Sequence, residues 1–403
     1  MRILIASSTY APAMNGQAVF TTNLAEGMVK LGHEVMLILD SHHVGGSEER
    51  INGVLVEELR SISLERFRSG VFFSPHPVKA IRHLFDIFQP DVVHIQDHYP
   101  SCKVVVRVAL ERQIKLVGTN HFIPENYAPY TPGYSILKPF YNWLFWQWML
   151  ATYRHVDIIT AQSLAAARQL QARRINVPMV TISCGIDLKR FSPQPEINKR
   201  VIRQRFGIDP NKKVFLFLGR IDGEKHLDLL LRAMQQLPRD DVQMVIAGRG
   251  SKEAVLKQEV MRSKLEERVH FTGLVSEEGV TDLLNCVDVF VMPSEAELLS
   301  LSSLEAMACG KPVLLADALA LPELVRVGEN GYLFKPGDVS DLCHQISRMA
   351  DHPERWQEMG RVSRELVMVH SLEETLEKYQ NLYLELLSQV PITDRKTQAK
   401  QPV

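Results

Sequence analysis

Two stretches of this chain hold residues whose types and spacing suit an anionic ligand. The first is GRIDGEK, residues 219–225, directly after the apolar run 214–218. Gly219 lets the chain turn close to a ligand. Arg220 and Lys225 then stand at the C-terminal end of a strand, beside a helix start. Against a diphosphate, Arg offers a fork of donors, Lys a point charge and the helix N-terminus a set of aligned N–H groups. By composition alone the string also reads as a solvated loop with surface cations.

The second stretch is SEAELLSLSSLEAMACGKPVL, residues 294–314, after the apolar run 287–292. Glu297 and Glu305 straddle a helix start expected near Leu298, which puts Glu305 about two turns along. A carboxylate can accept both hydroxyls of a ribose. Glu297, just before the helix, is placed for a sugar hydroxyl or a developing positive charge. The N–H groups of Leu299, Ser300 and Leu301 between them could hold phosphate oxygens. The plainer alternative is one capping acid and one surface acid. His121 follows a third apolar run, 115–119, in GTNHF, and its place after a strand favours a functional role. His94 and His98, near the end of another run, read as structural.

These residues need a scaffold that presents strand ends. RILIA at the start, helical spacing over about 19–31 and a second apolar run at 34–39 form a βαβ pattern. Apolar runs at 91–95, 115–119, 156–160 and 179–182 continue it. Near 185–195 the texture changes to GIDLKRFSPQP, a linker. A new series begins with runs at 214–218, 243–247, 269–271, 287–292 and 312–315. The expected architecture is α/β, with two doubly wound, Rossmann-like domains and parallel sheets, whose ligands bind where strand C-termini meet the cleft. The expected division is an acceptor-binding domain over 1–185, a donor-binding domain over 186–370, a helix at 371–390 that returns to the first domain, and a disordered tail at 391–403.

At this point the chain resembles the retaining GT-B glycosyltransferases of family 4, also called group 1. The resemblance rests on the Arg220/Lys225 pair, the Glu297/Glu305 pair and the AMACGKPV that follows. It extends over nearly the whole chain through Asn15-Gly16, GHEV at 32–35, PDVVHIQ at 90–96, SCGIDLKRF at 183–191, AGRG at 247–250, FTGLV at 271–275 and NGYLF at 330–334. It implies that Arg220 and Lys225 bind the donor diphosphate, Glu305 the ribose and Glu297 the transferred sugar. It further implies that Leu274 and Val275 contact the base, that Gly16 approaches the diphosphate, and that His121 contacts the donor sugar near the reacting centre. Such enzymes use a nucleotide sugar as co-substrate and require no metal. No carboxylate is placed as a covalent nucleophile, so front-face attack is expected, with the leaving phosphate taking the acceptor's proton. The chain departs from the family where Leu299-Ser300 replaces the usual Phe-Gly.

The acceptor is read from fewer features. AELLSLSSLEAMA and TNHFIPEN, residues 119–126, resemble 1,2-diacylglycerol 3-glucosyltransferases. FYNWLFWQWMLATY, residues 140–153, holds three of the chain's four tryptophans and is too short to span a bilayer. It reads either as a buried helix or as a face that meets lipid. With Arg60, Arg66, Arg68, Lys79 and Arg82, these features lead us to expect transfer of glucose from UDP-glucose to diacylglycerol at an anionic membrane surface. The alternatives are a same-fold transferase using GDP-mannose or another donor on a polysaccharide or soluble acceptor, and a non-catalytic nucleotide-binding protein.

Global features exclude little else. The 403 residues carry a net charge of −1, which gives no sign of a nucleic-acid partner. Residues 1–190 hold 19 Lys and Arg against 15 Asp and Glu, a small basic excess. Five scattered cysteines match no disulfide or zinc spacing. With no secretory signal read at the start, the expected location is the cytosol, at the inner face of the cell membrane. No GxGxxG follows the first strand, which disfavours a dinucleotide dehydrogenase.

Overall fold

The computed structural model describes residues 1–11, 15–40, 47–60, 62–63, 72–73, 77–124, 131 and 133–388. The first apolar run forms β1 (Arg2–Ser7), in which Ile3, Leu4 and Ile5 are fully buried. Burial on both faces is the mark of an inner strand of a parallel sheet. Around it lie β2 (Glu34–Asp40), β3 (Ser47–Ile51) and β4 (Val54–Leu59), while β5 (Ile62–Ser63) and β6 (Phe72–Phe73) pair separately. Then come β7 (Val92–Ile95), β8 (Lys115–Thr119), β9 (Ile158–Ala161) and β10 (Met179–Thr181). The sheet runs β10-β9-β8-β7-β1-β2-β4-β3 and is parallel except for the last pair. That pair is a hairpin turning on Asn52 and Gly53, both at positive φ, the geometry that Asn-Gly favours.

Helices α1 (Gly16–Lys30), α2 (Val78–Phe88), α3 (Pro100–Glu111), α4 (Tyr134–Tyr153) and α5 (Leu164–Gln171) belong to this half. The linker leads through α6 (Lys199–Arg205) to β11 (Lys213–Leu218), α7 (Leu227–Gln236), β12 (Val242–Ala247), α8 (Glu253–Arg262) and β13 (Val269–Gly273). Next are α9 (Glu277–Cys286), β14 (Val289–Met292), α10 (Leu301–Ala308), β15 (Val313–Ala316) and β16 (Gly331–Phe334). Finally come α11 (Val339–Asp351), α12 (Trp356–Val367) and α13 (Leu372–Ser388). The second sheet, β13-β12-β11-β14-β15-β16, is wholly parallel. Two parallel-sheet α/β units thus make up the fold.

The chain passes between the two units twice, and the crossings touch. Ile186 N–H donates to His370 O and Leu372 N–H to Ile186 O, each at 2.9 Å. Beyond this bridge α13 lies on the first unit. Tyr383 Oη and His94 Nδ1 are 2.7 Å apart, and Tyr379 Oη donates to Thr160 Oγ1 at 3.1 Å. Gly27 lets α13 approach α1, because a Cβ there would meet Leu376 Cδ2 at only 2.4 Å.

The aromatic stretch divides in two. Trp146, Met149, Leu150 and Tyr153 of α4 are buried in the first unit, whereas Phe140, Trp143 and Leu144 are exposed. No helix among the described residues is long and apolar enough to cross a membrane. Residues 125–126 of the TNHFIPEN segment, Arg66, Arg68 and the tail 391–403 lie outside the described residues.

Candidate functional site

On the first unit, strand ends deliver a histidine and its two holders. β8 passes the chain to Asn120 and His121. The His121 ring sits between Gln96, just after β7, and Gln162, just after β9: Nε2 is 3.0 Å from Gln96 Oε1, and Nδ1 accepts from Gln162 Nε2. An acceptor on one side and a donor on the other select the neutral Nε2–H tautomer. Burial pushes the pKa of His121 down to about 3, which agrees. Phe20 of α1 packs against the ring at 5.1 Å between centroids. His94 is structural: its second nitrogen lies 2.7 Å from Thr119 Oγ1. His98 is boxed by Tyr99, Phe122 and Trp148, and neither ring nitrogen finds a partner among the described residues.

On the second unit, β11 ends in the Gly219 loop. The neighbouring loop after β12 presses on it so closely that a Cβ on Gly248, at φ +132°, would lie 1.9 Å from Gly219 O. This close approach explains the glycines of AGRG. Arg220 is held in its loop by Asp222 Oδ2 at 2.8 Å and Glu224 Oε1 at 2.6 Å, yet remains 41% exposed. Lys225 reaches across to the loop after β14, where its Nζ lies 2.5 Å from Glu297 Oε1. The two strings read from sequence therefore meet as one ion pair, mostly withdrawn from solvent.

Two helix N-termini face each other here. Asn15 caps α1, its Oδ1 accepting from Ala18 N–H at 2.9 Å. Ser300 caps α10, its Oγ accepting from Ser303 N–H at 3.3 Å and from Ser303 Oγ at 2.7 Å. A Cβ on Gly16 would lie 3.8 Å from Leu301 Cδ1, so the two first turns come close across the cleft. Among the described residues the N–H groups of Leu299, Ser300 and Leu301 have no hydrogen-bond partner. Unpartnered donors at a positive helix end suit an anion. The Phe-Gly departure also gains an explanation. At φ −89° Ser300 needs no glycine, and its hydroxyl turns inward as a cap.

Glu305 lies on the second turn of α10. Its carboxylate has no hydrogen-bond partner among the described residues, although part of its surface stays open. Desolvation pushes its pKa up to about 7, against the weaker pull of Arg190. The FTGLV pair is split. The Leu274 side chain is 50% exposed, whereas Val275 is in the core, so only the backbone of Val275 is left for a ligand.

Sequence reasoning missed the groups that hold these residues: Gln96 and Gln162 on His121, and Asp222 and Glu224 on Arg220. All four follow strands, which was the one available signal. It also missed the contacts that bridge the cleft. Ser163 Oγ donates to Leu298 O at 2.6 Å, and Glu323 accepts from the N–H groups of Leu164 at 3.1 Å and Ala165 at 2.6 Å. Five cysteines are free, and among the described residues no group of three or more His, Cys, Asp or Glu could hold a metal ion.

Two parallel-sheet units with a charged cleft between strand ends define a GT-B glycosyltransferase. The comparisons agree. Residues 14–190 match the family described as Glycosyltransferase Family 4, and residues 198–366 match Glycosyl transferases group 1. The chain belongs to this family and is a glycosyltransferase. It is 26% identical over 320 residues to the alpha-monoglucosyldiacylglycerol synthase of Streptococcus pneumoniae, covering 78% of this chain and 70% of that one. The fold is similar to sucrose-phosphate synthase from Thermosynechococcus elongatus, with a TM-score of 0.80 and 21% identity, covering 96% of this chain and 99% of that one. It is also similar to Anabaena HepE in complex with UDP-glucose, with a TM-score of 0.74 and 19% identity, covering 97% and 100%.

Proposed function

We propose that this chain transfers a hexose, with glucose from UDP-glucose as the favoured donor, to the hydroxyl of diacylglycerol, keeping the anomeric configuration. The observation that carries the donor site is the Lys225–Glu297 pair beside the facing N-termini of α1 and α10. A donor diphosphate entering there takes Lys225 and Arg220 as counter-charges and the open N–H groups as hydrogen-bond donors. Glu297, released from Lys225, turns to the transferred sugar. Glu305 accepts the ribose hydroxyls. Charge developing on the leaving diphosphate is met by protein cations and helix ends, so no metal ion is needed. His121 donates Nε2–H towards the sugar or keeps Gln96 in place. The acceptor attacks on the face the diphosphate leaves, and a phosphate oxygen takes its proton.

The lipid acceptor and the UDP-glucose donor are supported by the relatives named above and by the exposed half of α4. The same fold also serves soluble acceptors, as the name of the sucrose-phosphate synthase implies. The deciding experiment incubates the purified protein with UDP-glucose and liposomes containing diacylglycerol. An α-glucosyl lipid is the expected product. UDP release without lipid product would remove the lipid acceptor and leave the donor. Inactivity with UDP-glucose but turnover with GDP-mannose would replace the donor.

A further inference from the structure

The first half of α4 turns large apolar side chains to solvent. Ile136, Leu137, Phe140, Trp143 and Leu144 are 82%, 50%, 52%, 58% and 42% exposed. Phe140, Trp143 and Leu144, all beyond the break at Leu137, share one helix face. The second half buries Trp146, Met149, Leu150 and Tyr153 in the core, so the helix is anchored at one end and open at the other. The backbone breaks helical geometry at Leu137, ahead of Pro139, so the turn that holds Ile136 is set off from the helix that carries Phe140, Trp143 and Leu144. A soluble surface seldom exposes five such residues together unless something covers them.

The charge around this face indicates what covers it. Lys138 lies on the exposed half itself and Arg173 lines the cavity beside it, both exposed, while Asp157, the one acid of the sequence 131–176, pairs with Lys115 at 3.7 Å. Arg173 stacks over the Trp146 ring at 5.0 Å. Beside them a cavity of about 320 Å³ is lined by Asn142, Trp143, Trp146, Gln147 and Arg173. Trp and Tyr with flanking cations match the interfacial region of an anionic bilayer, where rings enter the acyl boundary and cations meet phosphates.

We propose that the first half of α4 docks on an anionic phospholipid bilayer, with Ile136, Phe140 and Trp143 entering the headgroup boundary and Lys138 and Arg173 meeting lipid phosphates. The anchored half passes this placement to the site. Tyr153 Oη donates to Thr119 O at 2.5 Å, two residues before His121, and Trp146 packs on Phe122 at 5.9 Å between centroids. The strand end that carries His121 is thereby held at a defined height above the bilayer. The purpose of this docking rests on the lipid-acceptor reading, but docking is measurable without turnover.

The test is co-sedimentation of the full chain with phosphatidylcholine vesicles that contain or lack phosphatidylglycerol. The wild type should bind the anionic vesicles. Phe140→Ser with Trp143→Ser should weaken partitioning at least about ten-fold, the scale of losing two interfacial rings, with an unchanged melting curve because both side chains are exposed. Lys138→Glu with Arg173→Glu should abolish the preference for phosphatidylglycerol. Brominated acyl chains should quench the wild-type tryptophan emission, and Trp143→Phe should remove most of the quenching. Absence of wild-type binding, or full binding by the serine pair, would overturn the proposal. So would a wild-type dimer that the serine pair converts to monomer without any vesicle binding. Binding that depends on α4 but yields no glycolipid would remove the acceptor reading and leave the docking surface standing.

Discussion

Lys225 Nζ and Glu297 Oε1, 72 residues apart in sequence, lie 2.5 Å from each other at the mouth of the cleft. One pairs from the loop after β11, the other from the loop after β14, and adjacent parallel strands bring the two loops together. In the proposed donor site, the ion pair holds the Lys225 cation in place before any donor arrives. Lys225→Ala should lower the turnover of UDP-glucose at least roughly 10²-fold, the scale for losing one preorganised charge contact. Glu297→Gln should lower kcat more than it raises the donor KM, because the contact proposed for it is with the transferred sugar. Initial rates of UDP release measure both. Near wild-type turnover in Lys225→Ala would remove Lys225 from the site.

Ser300 makes a prediction about stability rather than rate. Its hydroxyl accepts from Ser303 N–H and closes the first turn of α10. Ser300→Ala should cost about 1 kcal/mol and lower the Tm by about 2–4 °C. Ser300→Gly should cost only a few tenths of that scale, since glycine is itself a fair N-cap. Calorimetry of the three proteins orders them. Equal melting of Ser300→Ala and the wild type would show that the cap contributes nothing.

The donor-site strings were legible because each follows an apolar run, and a doubly wound sheet places its ligands at strand ends. Their pairing across 72 residues was not, since spacing along the chain carries no distance across a cleft. The hairpin of β3 and β4 escaped because its charged edge strand, SEERI, has no apolar run; only Asn52-Gly53 marked it. The clamp on His121 escaped for a related reason. Gln96 and Gln162 are neutral side chains with no titrating chemistry, and they acquire a role only when β7, β8 and β9 lie side by side. The aromatic stretch was readable as apolar but not as half anchored and half open, because burial depends on the partner surface under Trp146 and Tyr153.

His121 is held neutral, and so are His94 and His98, each pushed down to about 3 by burial. Folded-state values below the ordinary 6.5 mean that the unfolded chain binds more protons between about 3 and 6.5. Their contribution to stability is therefore complete above about 6.5 and is lost as the pH falls towards 3. Nitrogen-15 shifts of the His121 ring should show no titration between pH 5 and 8. A titration near 6.5 would contradict the clamp. Gln162→Ala removes the Nδ1 partner and should reduce kcat about ten-fold or more through misplacement of the ring.

Glu305 runs the other way. Its carboxyl, pushed up to about 7 by burial, stays protonated in the free protein above the ordinary value of 4.5. The folded state then holds the extra proton, so this group's effect on stability declines as pH rises from about 4.5 to 7 and levels off above. Ribose hydroxyls donating to the carboxylate favour the ionised form, so donor binding should release a proton near pH 6 and tighten as pH rises through about 7. Titration calorimetry in buffers of different ionisation enthalpy detects the proton. Asp40, also pushed up to about 7, shares the window, and Glu305→Gln separates them. Unchanged proton release in Glu305→Gln would assign the proton elsewhere.

Glu323 ties the two units together from the far side of the cleft. Its carboxylate accepts from Leu164 N–H and Ala165 N–H in the first turn of α5, which Ser163 caps while donating to Leu298 O. A carboxylate on a helix N-terminus is favourable through both the hydrogen bonds and the helix dipole. The contact exists only while the cleft is closed on that side, so it biases the domain equilibrium towards closure. Glu323→Ala should shift the free protein towards an open form, with a larger radius of gyration in small-angle scattering. It should also raise the donor KM roughly two- to five-fold, the range of one such helix-end contact, while kcat at saturating donor changes little. Scattering and KM that both stay at wild-type values would mean that closure is set by the apolar contacts of Ile123, Ala166, Ala296 and Leu298 alone.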